Sequence, residues 1–275
     1  MNKALLASHS TTSVPRSIGA TKVSSKSVGS GSGIDQFRTS GSAKLLFARR
    51  SDAVEGIMIN TSGGLTGGDR FEVEASAGEA SRLVLTTQAA ERGYRSLSGT
   101  ARVRSHLRVA KDAALHWLPQ EFIMFDGSSV ERNLIVDLVD TSELVLVEPV
   151  VFGRHAMGET LSNAAICDTI TLSRNGASLY SDRINLSGAI SEELKRPAIA
   201  AGMTAMASVF YHGPHAEVLL PSLRALLPAT GGASMPTDGL ICVRLLAEDS
   251  YLLRKSLVPL LELLTTSRLP KSWSL

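Results

Sequence analysis

From residue 43 onward, polar and apolar residues alternate with a period of two in short runs. In "ARVRSHLRV" (residues 101–109), every odd position is small or apolar and every even position is arginine or histidine. Successive side chains of a β-strand point to opposite faces, so this run predicts a strand with one buried and one solvated face. Similar runs are "AKLLFARR", "VEGIMIN", "RFEVEA", "SRLVLTTQ", "NLIVDLVD" and "ELVLVEPVV".

Glycine, serine and aspartate clusters separate these runs, and no helical pattern intervenes before about residue 195. Many short strands without helices between them favour an antiparallel sandwich, a barrel or a β-helix over a βαβ fold. The apolar segment "AIAAGMTAMASVF" (residues 198–210) is compatible with either a helix or a strand. The chain is therefore predicted to be mainly β.

The period changes near the C-terminus. Leu253, Leu257, Leu260 and Leu264 recur at helical spacing, which predicts an amphipathic helix near 250–267, kinked by a proline at position 259. A shorter helix is predicted near 215–227, and "GLICVRLLAE" between the two is predicted to be a buried strand. Helices thus form only a small C-terminal part of the fold.

The N-terminal segment has a different composition. Residues 1–33 hold nine serines and four glycines and no acidic residue. Such a segment buries too little apolar surface to offset its ordering entropy. We therefore predict a flexible basic tail over 1–40 and a single domain over 41–275. The tail is serine-rich and acid-poor, as transit peptides are, but it lacks their arginine-rich amphipathic pattern.

Charge and cysteine content limit the classes of function. The net charge of the 275-residue chain is +2, which does not imply a general affinity for nucleic acid. The two cysteines, Cys167 and Cys242, are far apart and form no CxxC motif, so a reducing, cytoplasmic compartment is expected. No run of 18 apolar residues occurs, so no membrane span is expected.

A glycine-rich stretch, "NTSGGLTGGDRFEVEA" (residues 60–75), raises three possibilities: a phosphate loop, a tight turn or a metal-facing loop. A phosphate loop needs lysine and a hydroxyl after its last glycine, but Asp69 and Arg70 follow Gly68. A dinucleotide site needs a following helix, and "RFEVEA" is a strand pattern. The paired glycines favour a tight double turn in which Asp69 accepts a hydrogen bond from a backbone amide.

Three further stretches carry candidate polar groups. Thr86, Thr87 and Gln88 end an apolar strand, where they could complete a turn or line a polar channel. Glu121 lies in an apolar segment, and Asp126 precedes a glycine in a hairpin-like pattern. "VEPVVFGRHAMGE" (147–159) adds Glu148, Arg154, His155 and Glu159. There is no HExxH, CxxC or GxSxG motif, so no tight metal site or serine nucleophile is predicted.

Four motifs, taken in chain order, resemble the urease accessory protein D family, UreD, also called UreH. The motifs are "NTSGGLTGGDRFEVE", "LVLTTQAAERGYRS", "LHWLPQEFIMFDGSSV" and "VEPVVFGRHAMGE". The resemblance covers about residues 43–200 and extends more loosely to "RLPKSW" at 268–273. Two departures are a serine at position 62, where the family often has proline, and Glu91-Arg92-Gly93 after "TTQAA".

The resemblance implies a β-helix-like stack with a small helical part and a function without catalysis. Family members assist urease maturation by delivering nickel to the active site of the apoenzyme. The implied partners are the urease apoprotein, accessory protein F and, through F, the GTPase accessory protein G. No tightly bound cofactor is implied, only transient nickel, and the proposed nickel route is a polar channel inside the D protein.

The resemblance also implies roles for particular residues. The candidate nickel path comprises Asp69, Thr86, Thr87, Gln88, Glu121, Asp126 and Glu148. Their oxygens suit weak contacts with a passing divalent ion. The candidate partner-binding residues are Arg95, Arg102, Arg104 and Arg154, although a solvated strand face or structural ion pairs would also account for them.

Two alternatives remain open at this point. A β-helical hydrolase or lyase acting on carbohydrate would use paired carboxylates among Asp69, Glu121 and Asp126. Aromatic residues make up only 5% of the chain, which argues against a sugar-stacking cleft. A plain scaffold, with nickel carried elsewhere, has the same sequence signature as a channel.

Overall fold

The computed structural model describes residues 15–274, which fold into two facing β-sheets with helices on one outer side. The strands are β1 (Ile18–Val28), β2 (Gly31–Gly41), β3 (Ala43–Ala48), β4 (Val54–Asn60), β5 (Arg70–Ala77), β6 (Arg82–Thr87), β7 (Glu91–Gly93), β8 (Ala101–Val109), β9 (Ala114–Leu118), β10 (Phe122–Met124), β11 (Ser129–Leu138), β12 (Glu143–Phe152), β13 (Ala164–Arg174), β14 (Ala177–Gly188), β15 (Ala205–His212), β16 (Gly231–Thr237) and β17 (Leu240–Ala247). The helices are α1 (Ile190–Leu194), α2 (Ala216–Leu226) and α3 (Ser250–Thr265). Within residues 15–274, every helix is too short or too polar to cross a membrane.

The two sheets form a β-solenoid. Sheet A has the strand order β14-β13-β11-β8-β5-β1-β2, and the main path of sheet B is β16-β17-β15-β12-β9-β6-β4-β3. The central strands of both sheets pair in parallel, from β1 to β13 in sheet A and from β4 to β12 in sheet B. Antiparallel strands close both ends of the stack. The predicted β-helix-like stack is therefore confirmed.

The connections between the sheets differ on the two edges of the solenoid. In the parallel part of the stack, the chain segments that pass from sheet A to sheet B are short turns at 78–81, 110–113 and 139–142. Segments that pass from sheet B to sheet A are longer loops at 61–69, 88–100, 119–128 and 153–163, and we call this side the loop edge. Each of the four family-like sequence motifs contains or overlaps one of these loops. Motifs that are separate in the sequence are therefore neighbours along the loop edge.

Short parallel pairings connect the loops to one another. Leu65 bridges Gly93, β7 pairs with β10, and β10 pairs with β12. The glycines of the first loop permit this close stacking, because a Cβ at Gly64 would overlap the Tyr94 ring and one at Gly67 would overlap Ser96. Gly63 and Gly68 also adopt positive φ angles of 79° and 93°, which side chains disfavour. The predicted tight turn is thus confirmed.

The apolar core has two main layers. One lies between the sheets and includes Leu85, Leu107, Leu115, Val136 and Leu146. The other lies between sheet B and the helices, where the leucines of α3 pack on the outward-facing residues of sheet B. The residues between the sheets alternate with outward-facing ones, so the period-two pattern reflects the solenoid directly.

Both C-terminal helices match the predicted segments. The Asp249 side chain caps α3 by accepting a hydrogen bond from the Leu252 amide at 2.8 Å, and Pro259 lies within the helix. The buried strand predicted between the helices is β17, and the ambiguous segment 198–210 contributes to β15. Burial on both sides of β15 explains its lack of a clear period.

The flexible tail predicted for residues 1–40 is wrong from residue 18 onward. β1 pairs in parallel with β5 and antiparallel with β2, so backbone hydrogen bonds on both sides order a segment that has few large apolar residues. Its buried face consists mainly of small side chains, including Thr21, Val23 and Ser25. Residues 1–14 lie outside the described part of the chain.

Candidate functional site

A cavity of about 330 Å³ lies between the two sheets, next to the loop edge. Trp117, Phe122 and Leu134 supply part of its apolar wall. Gln88 and Arg92, which are exposed, line it at the loop edge, so the cavity opens to solvent there. A single water needs about 10–15 Å³ of such space, so the cavity has room for several water molecules.

Three charged side chains meet in the wall of the cavity. Arg132 on β11 donates from Nη1 to Glu148 Oε2 at 2.9 Å and from Nη2 to Asp168 Oδ2 on β13. Trp117 Nε1 donates to the other oxygen of Glu148 at 2.6 Å. We call Arg132, Glu148 and Asp168 the interior triad. It joins sheet A to sheet B through side chains alone.

The three residues of the interior triad occupy positions of their strands that face the core. Along β11, Val130, Leu134 and Val136 point between the sheets, and Arg132 occupies the same face. The same is true of Glu148 on β12 and Asp168 on β13, which are 9% and 4% exposed. Burying a charge is costly unless it is paired, and each of these charges has a partner of opposite sign.

The electrostatics of the interior triad leave a net charge of −1 when all three groups are ionised. Burial raises the pKa of Glu148, and the nearby Asp168 carboxylate acts in the same direction, although Arg132 opposes both. Burial alone would lower the pKa of Arg132, but the two carboxylates outweigh it and raise that pKa. The Arg132 Nε has no hydrogen-bond partner among the described residues. The site can thus attract a cation and offer polar groups to water.

Polar residues continue beyond the interior triad towards the C-terminal end of the solenoid. Glu148 is directly opposite Ser208 on β15, and Ser208 is opposite Arg244 on β17. Directly opposite residues on neighbouring strands share a face, so these side chains form a row inside the solenoid. Arg244 pairs across to Asp182 on β14 at a partly exposed position. A polar column therefore extends from the interior triad to the surface.

Three of the seven predicted nickel-path residues line the cavity: Thr87, Gln88 and Glu148. Thr87 Oγ1 accepts from the Gln120 amide at 2.8 Å and donates to the Ala89 carbonyl at 3.0 Å. Gln88 lies at the opening. Glu148 is the only one of the seven in the interior triad.

Asp69 does not line the cavity. Its carboxylate is 3% exposed and accepts backbone hydrogen bonds from Ser17 and Thr66, both at 2.8 Å. It therefore fixes the glycine loop and joins it to the chain just before β1. This geometry matches the hydrogen-bonded turn considered from the sequence and leaves neither Asp69 oxygen facing a channel.

Replacing Asp69 with alanine is expected to destabilise the fold by about 2–4 kcal/mol, because two partly buried amides lose a charged acceptor. Asp69→Asn keeps one acceptor oxygen and should lose less. Urea unfolding of both variants measures the difference. Unchanged stability in both variants, together with a loss of nickel delivery, would instead assign Asp69 to the nickel path.

Thr86 and Glu121 face the helices rather than the cavity. Thr86 Oγ1 donates to the Leu118 carbonyl at 2.7 Å. Glu121 pairs with Arg254 on α3 at 3.0 Å, and the same guanidinium donates to Gln120 Oε1 at 2.8 Å and lies over the Trp273 ring. These contacts hold α3 and the C-terminal segment against the third loop.

Asp126 holds two loops together. Its Oδ1 accepts from the amides of Ser162 and Asn163 at 2.7 and 2.9 Å, and its Oδ2 lies 3.5 Å from Arg95 Nη2. Asp69, Glu121 and Asp126 are thus held at separate places by other protein groups. This geometry gives no support to the alternative of a hydrolase or lyase with paired carboxylates.

The four predicted partner-binding arginines fall into two groups. Arg95 and Arg154 lie on the loop edge, and Arg154 pairs with Glu159 at 2.8 Å. Arg102 and Arg104 are exposed on the outer face of sheet A, where Arg102 pairs with Glu131 at 3.2 Å. The structure does not bring the two groups together.

Sequence reasoning missed Arg132 and Asp168. The sequence signal for both residues is their position in the alternating pattern. In "SVERNLIVDL" and "AAICDTITL", each is a charged residue at a position where its strand otherwise presents apolar side chains to the interior. Glu148 shows the same signal in "ELVLVEPVVF". Charged residues at core-facing positions of three consecutive strands would have located the interior triad.

Among residues 15–274, no group of three or more His, Cys, Asp or Glu side chains is arranged to hold a metal ion. The cavity is instead lined by four carboxylate residues, Glu72, Glu91, Glu148 and Asp168, together with hydroxyl groups, and it has room for water. Carboxylate and water ligands bind nickel more weakly than imidazole or thiolate. Such a lining suits a cation in transit better than a resident one.

The fold and its interior define the class as a β-solenoid with a cavity and buried charged side chains between its sheets, stacked loops on one edge and a helical flank. A family model described as UreD urease accessory protein matches residues 17–274. A relative named urease accessory protein UreD from Roseobacter denitrificans is 47% identical over 262 residues, covering 95% of this chain and 96% of the relative. The protein of that name from Agrobacterium fabrum is 40% identical over 262 residues, covering 94% and 92%.

The chain therefore belongs to the UreD family of urease accessory proteins. The match extends through β1 and through the C-terminal segment. The resemblance inferred from the four motifs is confirmed, and it covers more of the chain than those motifs do.

Proposed function

We propose that the protein delivers nickel to the active site of apo-urease through the interior of its solenoid. It acts without catalysing a reaction of its own, in the cytoplasm, in a complex with the urease apoprotein, accessory protein F and, through F, the GTPase accessory protein G. The single observation that carries the proposal is the interior triad in the wall of a solvent-connected cavity.

The electrostatics of the cavity support passage of a cation. The two carboxylates and one guanidinium of the interior triad leave an excess negative charge in a partly enclosed region, where bulk water screens the charge less than at the surface. Arg132 prevents Glu148 and Asp168 from acting together as a chelating pair, because it takes up an oxygen of each. The site thus attracts nickel without trapping it.

The shape of the passage also supports transit. The volume of the cavity leaves room for water molecules around a cation. The interior triad lies between the cavity and the row of Ser208, Arg244 and Asp182. An ion that moves from the cavity towards this row has to pass the Arg132 side chain, so Arg132 is the gating residue of the proposal.

The proposal is tested by reconstitution from purified apo-urease, accessory proteins F and G, and nickel, with and without this protein. Nickel content and ureolytic activity are expected to rise only when the protein is present. Co-purification of the protein with apo-urease and accessory protein F is expected under the same conditions. Full nickel loading at the same rate without the protein would refute the proposed function.

A further inference from the structure

We propose that the loop edge is a docking surface for an acidic segment of a partner protein. The surface, which we call the loop-edge ridge, consists of Arg92, Tyr94, Arg95, Leu97, Arg154 and Met157, all of them exposed. The assignment of the partner to the urease maturation complex rests on the proposed function. The location and chemistry of the surface rest on the contacts below.

Side-chain contacts make the loop-edge ridge continuous across all four loops. The Tyr94 hydroxyl donates to the Gly63 carbonyl at 3.3 Å. The Tyr94 and Phe125 rings meet edge to face with centroids 5.1 Å apart, and the Arg154 guanidinium lies 4.2 Å from the Phe125 centroid. A surface held in one arrangement before binding loses less conformational entropy when a partner docks.

The apolar part of the loop-edge ridge is unusually exposed. Leu97 is 87% exposed and Met157 is 74% exposed. Neither side chain belongs to the apolar clusters of the described core. Apolar side chains that project from ordered loops, rimmed by polar groups, are typical anchors of a protein interface.

The charged part of the loop-edge ridge presents guanidinium groups outward. The Arg95 side chain is 69% exposed whereas that of its partner Asp126 is 23% exposed, and Arg154 and Glu159 are 43% and 11% exposed. A guanidinium has five N–H donors, so each arginine keeps donors for a second carboxylate. The carboxylates of Asp126 and Glu159 accept hydrogen bonds from backbone amides of the loops. Charge complementarity therefore selects an acidic partner segment.

The position of the loop-edge ridge connects it with the cavity. Gly63 and Arg92 line the cavity opening, and they adjoin the Tyr94 ring and backbone in the same loops. A partner segment seated on Tyr94, Arg95 and Leu97 would lie beside that opening. Docking there would place the partner's own metal-handling groups next to the passage and shield the opening from bulk solvent.

Charge reversal tests the electrostatic part of the proposal. Arg95→Glu/Arg154→Glu is compared with the matched control Arg38→Glu/Lys111→Glu, whose exposed side chains lie on β2 and on a short turn of the opposite edge. Binding of each full-length variant to accessory protein F and to apo-urease is measured separately by surface plasmon resonance at two salt concentrations. The ridge variant is expected to lose at least about tenfold in affinity for one partner, with weaker salt dependence, whereas the control keeps wild-type affinity.

Truncation of the apolar anchors gives a second, independent arm. Leu97→Ser/Met157→Ser is compared with Val218→Ser/Leu226→Ser on the exposed side of α2. The ridge variant is expected to bind more weakly, and thermal unfolding of both variants shows that the fold is kept. Equal affinity of wild type and both ridge variants would overturn the docking proposal and leave the proposed function standing. Failure of the wild-type protein to bind either partner would overturn both.

Discussion

Replacing Arg132 with methionine is expected to destabilise the protein by about 3–5 kcal/mol, because Glu148 and Asp168 would remain buried without a compensating charge. At roughly 2–4 °C per kcal/mol for a domain of this size, the melting temperature should fall by about 6–20 °C. Differential scanning calorimetry and urea unfolding measure the loss.

Two comparisons separate charge from packing in this prediction. Neutralising all three groups in Arg132→Met/Glu148→Gln/Asp168→Asn should recover much of the loss, and the glutamine keeps an acceptor for Trp117 Nε1. Arg102→Met, which removes the exposed partner of Glu131, should cost less than about 1 kcal/mol. Wild-type stability of Arg132→Met would mean that cavity water solvates both carboxylates, and the electrostatic account of the interior triad would be wrong.

Filling the cavity is expected to slow nickel delivery about tenfold or more while the protein stays folded. Ser105 faces the cavity from β8, between Val73 and Leu134 on the neighbouring strands. Phenylalanine suits a strand, and here its ring can occupy existing space rather than displace packed neighbours. If the ring raises the barrier to passage by about 1.4 kcal/mol, activation of urease slows about tenfold.

Two control variants of sheet A accompany the Ser105→Phe variant. Ser105→Ala removes the hydroxyl but keeps the cavity open, and Thr169→Phe adds the same ring on the outward face of β13. Both should activate urease at close to the wild-type rate. Equal impairment of Thr169→Phe would show that added bulk on sheet A disturbs assembly, and the cavity interpretation would fail.

The sequence pattern predicts the strands but not their pairing. The alternation in "ARVRSHLRV" specifies the inward face of β8, and four of its five residues are buried, whereas Val103 is partly exposed. It does not specify whether β8 lies parallel or antiparallel to β5, because one buried face suits either arrangement. The direction depends on the connections, whose short and long forms alternate along the chain.

The N-terminal strands were missed for a related reason. β1 buries Gly19, Thr21 and Ser25, which have little hydrophobic signal, and its order depends on neighbours that are distant in sequence. Composition reports only the apolar surface that a segment itself can bury. It therefore underestimates a strand whose backbone is hydrogen-bonded on both sides.

The candidate site shows the same division between local and distant information. Asp69 and Asp126 stand out next to glycines, and both prove to accept backbone hydrogen bonds, Asp69 from its own loop and Asp126 from the 153–163 loop. Arg132 and Asp168 lie in ordinary strand runs and become a site only when β11, β12 and β13 are assembled. A polar residue near glycine indicates a turn, whereas a charged residue at a core-facing strand position indicates an interior site.

The passage of nickel through the solenoid is tested most directly by counting nickel in urease. Apo-urease is incubated with nickel, accessory proteins F and G, and either the wild-type protein, Ser105→Phe or Thr169→Phe, after assembly of each complex has been verified. Mass spectrometry of the re-isolated urease then gives the nickel bound per active site. The account predicts full loading with wild type and Thr169→Phe and little nickel with Ser105→Phe. Full loading with Ser105→Phe, at the wild-type rate, would contradict passage through this cavity.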